Sequence, residues 1–84
     1  MKYFVYLIVS ETHLRKLSYV GYTNNLTNRI KLHNSSKGAK FTKGNNWKLI
    51  YYRTYNSKIK AMKEEYKLKK NYKLRNKIKN ENGF

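Results

Sequence analysis

The chain contains no cysteine and no aspartate, and it has only two histidines among its 84 residues. Without cysteine it can form neither a disulfide nor a thiolate metal site, which fits a cytoplasmic protein. Two imidazoles without any thiolate also argue against a zinc centre. No apolar run reaches the roughly 18 residues that cross a membrane, so we expect no membrane-spanning segment.

Carboxylates are equally scarce, since the four acidic residues are Glu11, Glu64, Glu65 and Glu81, against 20 Lys and Arg. Two-metal phosphoryl-transfer centres use several carboxylates, and this chain can hardly supply them. The net charge of +16 attracts polyanions, and nucleic acid is the natural partner. An anionic membrane surface is the alternative, but no segment pairs a lysine face with the apolar face that an interfacial helix needs.

What the chain does contain is enough for one small core. Hydrophobic residues make up 39% and aromatic residues 15%, so we expect a single folded domain over 1–84. The opening run "MKYFVYLIVSETHLRK" is followed by no small-residue cleavage site, and it predicts a strand rather than a signal peptide.

The pattern of apolar and polar residues, together with the turn residues, predicts an α+β fold. It is a small three-stranded antiparallel sheet flanked by helices, in the order ββαβαα. Residues 3–9 are apolar on both alternating faces, which predicts a central strand covered on both sides. Asn24 and Asn25 predict the start of the first helix, and Ser57 that of the second. The predicted strands are 3–9, 18–23 and 47–55, the helices 25–33, 58–70 and 71–80, and the longer loops 10–17 and 34–46.

A helical wheel of 58–70 places a carboxylate among apolar side chains. The predicted apolar half consists of Ile59, Ala61, Met62, Tyr66 and Leu68. Glu65 falls in its middle, a costly position unless the charge is paired or bound to a cation. Two interpretations stay open: an ion pair with Arg29, Arg53 or a lysine, or a metal ligand or acid–base group at the rim of the core.

The stretch "SYVGYTNNLTNRIKLHN" (18–34) concentrates residue types that are rare elsewhere in the chain. Arg29 and His33 are four residues apart on the first helix and should project together. Tyr19 and Gly21 share one side of the second strand, and Gly21 leaves room for a backbone or a ligand. We predict a pocket on a basic surface formed by Tyr6, Tyr19, Arg29, His33 and Glu65.

These residues resemble the ordered motifs of a GIY-YIG nuclease domain. The first motif corresponds to Phe4-Val5-Tyr6, which lacks the leading glycine but keeps the tyrosine, and the second to Tyr19-Val20-Gly21. They are followed by "NLTNRIKLHN", "KGAKFT" and "AMKEEYKLKK", in which aligning Ala61 with the family's small residue selects Glu65. The resemblance covers essentially the whole chain and is closest to the small stand-alone branch, which includes the nuclease subunit of a structure-specific endonuclease acting on branched DNA.

The resemblance implies a metal-dependent endonuclease that acts on branched or damaged DNA, as in repair or recombination, with a possible protein partner. Arg29 would hold a phosphate oxygen, and Mg²⁺ or Mn²⁺ on Glu65 would stabilise the leaving 3′ oxygen. Tyr6 or Tyr19 would deprotonate water, and the choice between them stays open. A free tyrosine has a pKa near 10, which the nearby Arg29 and the cationic field would lower, and the tyrosine could also relay its proton to His33.

Further residues are predicted to bind nucleic acid by phosphate contacts or, for Phe41, by stacking at a disrupted duplex. They are Gly21, Thr23, Lys37, Lys40, Phe41, Thr42, Lys43, Lys63, Lys67 and Lys70. No element resembles a major-groove reading helix, which favours structure selectivity over sequence specificity. The alternatives are a DNA- or RNA-binding module without turnover, and a ribosome-associated basic protein, which would leave Glu65 unexplained.

Overall fold

The computed structural model describes residues 1–84 and has the element order ββαβαα. The elements are β1 (Tyr3–Glu11), β2 (Lys16–Thr23), α1 (Leu26–Asn34), a short 3₁₀ helix (Lys40–Thr42), β3 (Lys48–Tyr55), α2 (Lys58–Lys70) and α3 (Tyr72–Glu81). The α+β prediction is therefore confirmed. None of the helices combines the length and the apolarity needed to span a membrane.

The three strands form an antiparallel sheet in the order β2-β1-β3, with β1 in the centre. Because side chains alternate along a strand, β1 supplies two cores. Tyr6 and Ile8 pack with Trp47 on the face covered by α1. Val5 and Leu7 belong to a second cluster, on the opposite face, together with Val20, Ala61, Leu68 and Ile78. The prediction of a central strand covered on both sides is confirmed.

The β1–β2 hairpin is longer than predicted, and its connection is shorter. Glu11 still pairs with Lys16, which leaves Thr12–Arg15 as the turn instead of a loop over 10–17. Thr12 organises this turn, since its N–H donates to the carbonyl of Arg15 at 2.9 Å and its hydroxyl accepts from two backbone N–H groups at 3.2 Å. The polar side chains of 11–16 are exposed, so no alternation of apolar residues marked these strand ends.

Side-chain caps begin all three α-helices. The Asn25 side chain accepts from Asn28 N–H at 3.1 Å, and the Ser57 hydroxyl accepts from Lys60 N–H at 3.0 Å. Asn71 separates α2 from α3 and caps the latter by accepting from Leu74 N–H at 3.1 Å. The predicted caps of the first two helices are confirmed. Each of them satisfies a backbone donor that has no partner within the helix.

Helix α2 is rotated about its axis relative to the predicted wheel. Its buried residues are Ala61 and Leu68, with Glu64 and Glu65 half-buried between them. Three members of the predicted apolar half are exposed instead: Ile59 (68%), Met62 (46%) and Tyr66 (61%). Hydrophobicity alone could not select the buried face, because both glutamates keep their charged ends within reach of lysines one helical turn away.

Candidate active site

Tyr6 and His33 are joined by a hydrogen bond on the α1 side of the sheet. The Tyr6 hydroxyl, in the middle of β1, lies 2.7 Å from Nε2 of His33, in the last turn of α1. The other imidazole nitrogen, Nδ1, lies 2.8 Å from the hydroxyl of Thr42. All three side chains are fully buried. Three elements that are distant in sequence therefore contribute to one chain of hydrogen bonds.

The Thr42 hydroxyl sets the direction of this chain. It accepts from the Ala39 N–H at 3.2 Å and lies 2.9 Å from the Ala39 carbonyl, to which it donates its only proton. Nδ1 of His33 must then donate to Thr42, because the hydroxyl has no second proton. This assignment leaves the Nε2 lone pair to accept the Tyr6 proton. The network thus directs the phenol of Tyr6 toward a neutral imidazole.

Burial favours the neutral form of both groups. Burial lowers the pKa of His33 below its usual value of 6.5, and the nearby Arg29 charge lowers this pKa further. Burial also raises the pKa of Tyr6 above its usual value of 10.0, while Arg29 acts in the opposite direction. Near pH 7 the pair is therefore a protonated phenol hydrogen-bonded to a neutral imidazole. In this state the imidazole is ready to accept the phenolic proton.

Two glycines allow the backbone to close around this pair. Gly21 lies opposite Tyr6 in the β1–β2 register, and a methyl group on it would collide with the Tyr6 hydroxyl and lie 2.6 Å from Cζ. A methyl group on Gly38 would lie 2.9 Å from Cγ of His33. The space that the sequence predicted for a ligand at Gly21 is occupied by Tyr6 itself. Gly21 therefore lets the Tyr6 ring pack against β2, and it has no free face for nucleic acid.

Arg29 lies one helical turn before His33 and is half-buried. Its guanidinium is close enough to influence the pKa of both Tyr6 and His33. Its Nε is buried and has no hydrogen-bond partner. A buried charged donor without an acceptor costs free energy, and phosphate and carboxylate oxygens are the acceptors that a guanidinium fits best. Arg29 therefore has the environment expected of an anion-binding group.

A shallow cavity opens on one side of Arg29. It is lined by Tyr3, Tyr22, Thr23, Asn24, Arg29 and Lys58, and we call it the Arg29 cavity. Thr23 lies here as predicted, although its hydroxyl already accepts from the Asn25 N–H at 3.1 Å. Lys58, which the sequence analysis did not single out, adds a second positive charge. A negatively charged ligand in this cavity would meet two cations.

Glu65, on α2, is close enough for its charge to act on Tyr6. Its side chain is 17% exposed, and Oε1 lies 3.2 Å from Nζ of Lys69. The ion pair that the sequence offered as one interpretation is therefore formed, and its partner is a lysine. The Glu65 charge contributes to the raised pKa of Tyr6, which places the carboxylate near the phenol. Glu64 points elsewhere, pairing with Lys60 and Lys67 beside Tyr51 and Tyr55.

A divalent cation would find one carboxylate here. No cluster of three or more His, Cys, Asp or Glu side chains could hold a metal ion by itself. Mg²⁺ commonly uses one or two protein carboxylates and takes its remaining ligands from water and substrate phosphates. Glu65 fits that limited role, because its only close partner is the Lys69 ammonium, which a metal cation could replace.

A second cavity, which we call the Phe41 cavity, lies on the Tyr19 side of the site. It is lined by Ser18, Tyr19, Val20, Phe41, Lys69 and Arg75. The Tyr19 ring lies between His33, at 5.3 Å between ring centroids, and Phe41, at 6.2 Å with planes 20° apart. Phe41 is 54% exposed. Tyr19 thus connects the buried hydrogen-bond network to an exposed aromatic surface.

The loop between α1 and β3 divides its predicted binding residues into two groups. Lys37, Lys40 and Lys43 are exposed, as phosphate contacts require. Thr42 is fully buried and bonded to His33, so it cannot contact nucleic acid from this position. Trp47, which the sequence analysis assigned only to a strand, holds the loop by donating from Nε1 to the Thr42 carbonyl at 2.8 Å.

The α2 lysines singled out from the sequence point away from Glu65. Around the helix axis they lie about 140–160° from it, and they are Lys63, Lys67 and Lys70. Lys58 and Lys69 lie only about 20° and 40° from Glu65, and each borders one of the two cavities. The i, i+4 spacing of Glu65 and Lys69 was a signal in the sequence that would have found the second of these.

Residues 2–79 match the family model described as the GIY-YIG catalytic domain. The chain belongs to the GIY-YIG family. GIY-YIG domains are nuclease domains. The two segments that resemble the tyrosine motifs of the family, Phe4-Val5-Tyr6 and Tyr19-Val20-Gly21, lie on β1 and β2.

The GIY-YIG chain is similar to several UPF0213 proteins. It is 44% identical over 52 residues to one from Oceanobacillus iheyensis, covering 61% of this chain and 60% of that protein. It is 39% identical over 69 residues to one from Staphylococcus haemolyticus, covering 81% and 80%. The solution NMR structure of a UPF0213 protein from Bacillus halodurans is 33% identical, with a TM-score of 0.51, covering 92% of this chain and 80% of that one. The matched segments span less than two thirds of some relatives, 60% of the Oceanobacillus protein and 57% of one from Clostridium perfringens.

Proposed function

We propose that this GIY-YIG protein is a metal-dependent endonuclease that hydrolyses phosphodiester bonds in DNA. The observation that supports it most is the orphaned Nε of Arg29 beside the Tyr6–His33 hydrogen bond. Phosphodiester hydrolysis needs a cation for the phosphate and an acceptor for the proton of water. Arg29 would supply the cation and the Tyr6–His33 pair the proton acceptor, and the Glu65 charge acts on the Tyr6 phenol.

In this proposal Arg29 binds a nonbridging oxygen of the scissile phosphate through its unpaired Nε–H. Tyr6 is buried in the free protein, so DNA binding must first give the attacking water access to its hydroxyl. Tyr6 then accepts a proton from that water while its own proton passes to Nε2 of His33. His33 is the only hydrogen-bonded acceptor of that phenol. Its Nδ1–H is held by Thr42. Tyr19 has no such acceptor, so it is assigned to substrate contact.

Glu65 is the ligand proposed for Mg²⁺ or Mn²⁺. When bound, the cation would supply charge stabilisation for the leaving 3′ oxygen. Lys69 would then be released from Glu65 to interact with the substrate. Because the protein offers one carboxylate, we expect weak metal binding in the absence of DNA.

DNA is the proposed substrate, with a preference for branched or damaged structure. The net charge of +16 supports a polyanionic partner. No helix is presented as a major-groove reader, since α1 packs its inner face on the sheet with His33 buried. We further propose that a partner subunit supplies part of the substrate recognition, since the two cavities are shallow and the domain is small.

The test is cleavage of labelled nicked, flapped and four-way DNA in the presence of Mg²⁺ or Mn²⁺. Glu65→Gln should abolish cutting, whereas the matched variant Glu64→Gln should cut like the wild type, because Glu64 faces Lys60 and Lys67 instead of the site. Equal cutting by wild type and Glu65→Gln would refute the proposed metal ligand. Absence of cleavage on all three substrates, with both metals, would count against catalysis by the chain on its own.

A second candidate function is nucleic-acid binding without turnover. It is favoured by one observation, that Glu65 already has Lys69 as a charge partner. In that case the pair is a structural ion pair and no metal is needed. Salt-dependent DNA or RNA binding that persists unchanged in Glu65→Gln, with no cleavage by the wild type, would support this candidate instead.

A further inference from the structure

The Phe41 ring is exposed yet held in place by two other aromatic rings. Tyr19 stacks near it, with planes 20° apart, and the Trp47 ring lies 6.2 Å from it, tilted by 46°. Trp47 is itself buried and hydrogen-bonded through Nε1. An aromatic ring that is 54% exposed on such a support loses little conformational freedom when a ligand stacks on it.

Two cations border the same cavity. Lys69 reaches it from α2 and Arg75 from α3. One guanidinium nitrogen of Arg75 donates to the carbonyls of Leu68, at 2.9 Å, and Lys69. These bonds fix the guanidinium at the C-terminal end of α2, and its remaining N–H donors stay available. The cavity therefore combines an aromatic face with two positive charges, of which the Arg75 guanidinium is held in place.

This combination matches the chemistry of an unpaired nucleotide. A base that is free of its partner stacks on an exposed aromatic ring, and its phosphate binds lysine or arginine. A base inside a duplex is already stacked on both sides and cannot offer a face to Phe41.

We propose that the Phe41 cavity binds one unpaired base of the DNA substrate, stacked on Phe41, with the adjoining phosphate on Lys69 and Arg75. The inference rests on the proposed nuclease function. Two contacts join the cavity to the catalytic groups: Tyr19 with His33, at 5.3 Å between ring centroids, and Lys69 with Glu65, at 3.2 Å. An unpaired base bound here brings a neighbouring phosphodiester to Arg29. Part of the selectivity for disrupted DNA then originates in the chain itself.

The experiment uses DNA that carries 2-aminopurine either in a single-base bulge or in a fully paired duplex, with EDTA present so that no cutting occurs. Stacking quenches 2-aminopurine fluorescence. The wild type should quench the bulged probe and leave the paired probe unchanged. Its affinity for bulged DNA should exceed that for duplex by about 5- to 150-fold, the range expected for one stacked base.

Substitutions at Phe41 separate stacking from hydrophobic contact. Phe41→Leu should lose the quenching and the bulge preference, and Phe41→Trp should keep both. Phe84→Ala is the matched control, because Phe84 is another phenylalanine beside a lysine, Lys16, but borders a cavity with Val9 and Glu11 instead. It should bind like the wild type.

Cleavage of the same DNA in Mg²⁺ distinguishes the two proposals. Equal affinity for bulged and paired probes, or quenching that survives in Phe41→Leu, would overturn the cavity assignment even if the protein cuts DNA. Quenching that depends on Phe41 without any cleavage would uphold the cavity and count against the nuclease. Unfolding monitored by circular dichroism would show whether Phe41→Leu still folds, with Phe41→Trp as the second variant if it does not.

Discussion

Nζ of Lys69 lies 3.2 Å from Oε1 of Glu65, one turn further along α2. The ammonium therefore lies beside the carboxylate that we propose as the metal ligand. A lysine in this position neutralises Glu65 while no metal is bound, and it competes with any metal that binds. Because the Lys69 side chain is 49% exposed, its ion pair with Glu65 should be weak. A metal ion and a substrate phosphate that bind together should therefore displace Lys69 from Glu65.

Lys69→Met should therefore raise the affinity for Mn²⁺ measured by electron paramagnetic resonance without DNA. An exposed pair contributes about 0–1 kcal/mol, so we expect a gain of up to about fivefold. Lys67→Met is the control, since Lys67 pairs with Glu64 at 3.1 Å, and it should leave Mn²⁺ affinity unchanged. A lower Mn²⁺ affinity in Lys69→Met would mean that the lysine supports the site instead of competing for it.

The two tyrosines should differ in their contribution to catalysis. Tyr6 donates to a neutral imidazole, whereas Tyr19 has no acceptor for its proton. We expect Tyr6→Phe to slow cleavage by at least about 100-fold, the lower end for a general base, and Tyr19→Phe to slow it by about tenfold or less. Single-turnover rates on one saturating DNA substrate would measure both. The reverse order would assign the base to Tyr19 and leave the Tyr6–His33 pair a structural role.

The stability of the protein should depend on pH through His33. Burial lowers the folded-state pKa of His33 below 6.5, so the unfolded chain binds more protons in the interval between the two values. The contribution of His33 to the free energy of unfolding is then constant above about pH 6.5 and falls as the pH drops through that interval, by at most about 1.4 kcal/mol per pH unit. The pKa of Glu64 is also lowered from its usual value of 4.5, so Glu64 changes the free energy of unfolding only at pH values below about 4.5.

Urea denaturation between pH 5 and 8 would measure this dependence. In His33→Gln the slope over that range should disappear, although the variant will be less stable overall because the Tyr6 hydroxyl and Thr42 lose their imidazole partner. The other histidine, His13, is exposed in the hairpin turn. An unchanged slope in His33→Gln would show that His33 does not titrate differently in the folded and unfolded states.

The sequence predicted the elements of this fold well because each one has a local signal. Apolar residues on both faces marked β1, and Asn25 and Ser57 marked the helix starts. The rotation of α2 could not be predicted in the same way. Its buried face contains both glutamates, and only the surrounding lysines make that acceptable. A wheel drawn from hydrophobicity therefore favoured Met62 and Tyr66, which are exposed.

The residues of the candidate site could be named from the sequence, but their geometry could be predicted only in part. Arg29 and His33 share a helix, so their proximity followed from their spacing. The bonds that fix His33 depend on the tertiary path of the loop 34–46, which carries no periodic pattern. For that reason Thr42 was predicted to bind nucleic acid, when its hydroxyl holds the imidazole instead. Gly38 and Trp47, which shape that path, had no signal beyond residue type.

Gly21 offers a direct test of how tightly the site is packed. A methyl group there would overlap the Tyr6 hydroxyl and approach Cζ to 2.6 Å. Gly21→Ala should thus displace the Tyr6 ring, lower the free energy of unfolding by about 1–3 kcal/mol, and slow cleavage by disturbing the bond to His33. Because the overlap involves the hydroxyl first, Gly21→Ala should cost less in a Tyr6→Phe background, a coupling that a double-mutant cycle measures by urea denaturation. Strictly additive effects would show that β2 shifts to accommodate the methyl group, and that Gly21 is not required for the position of Tyr6.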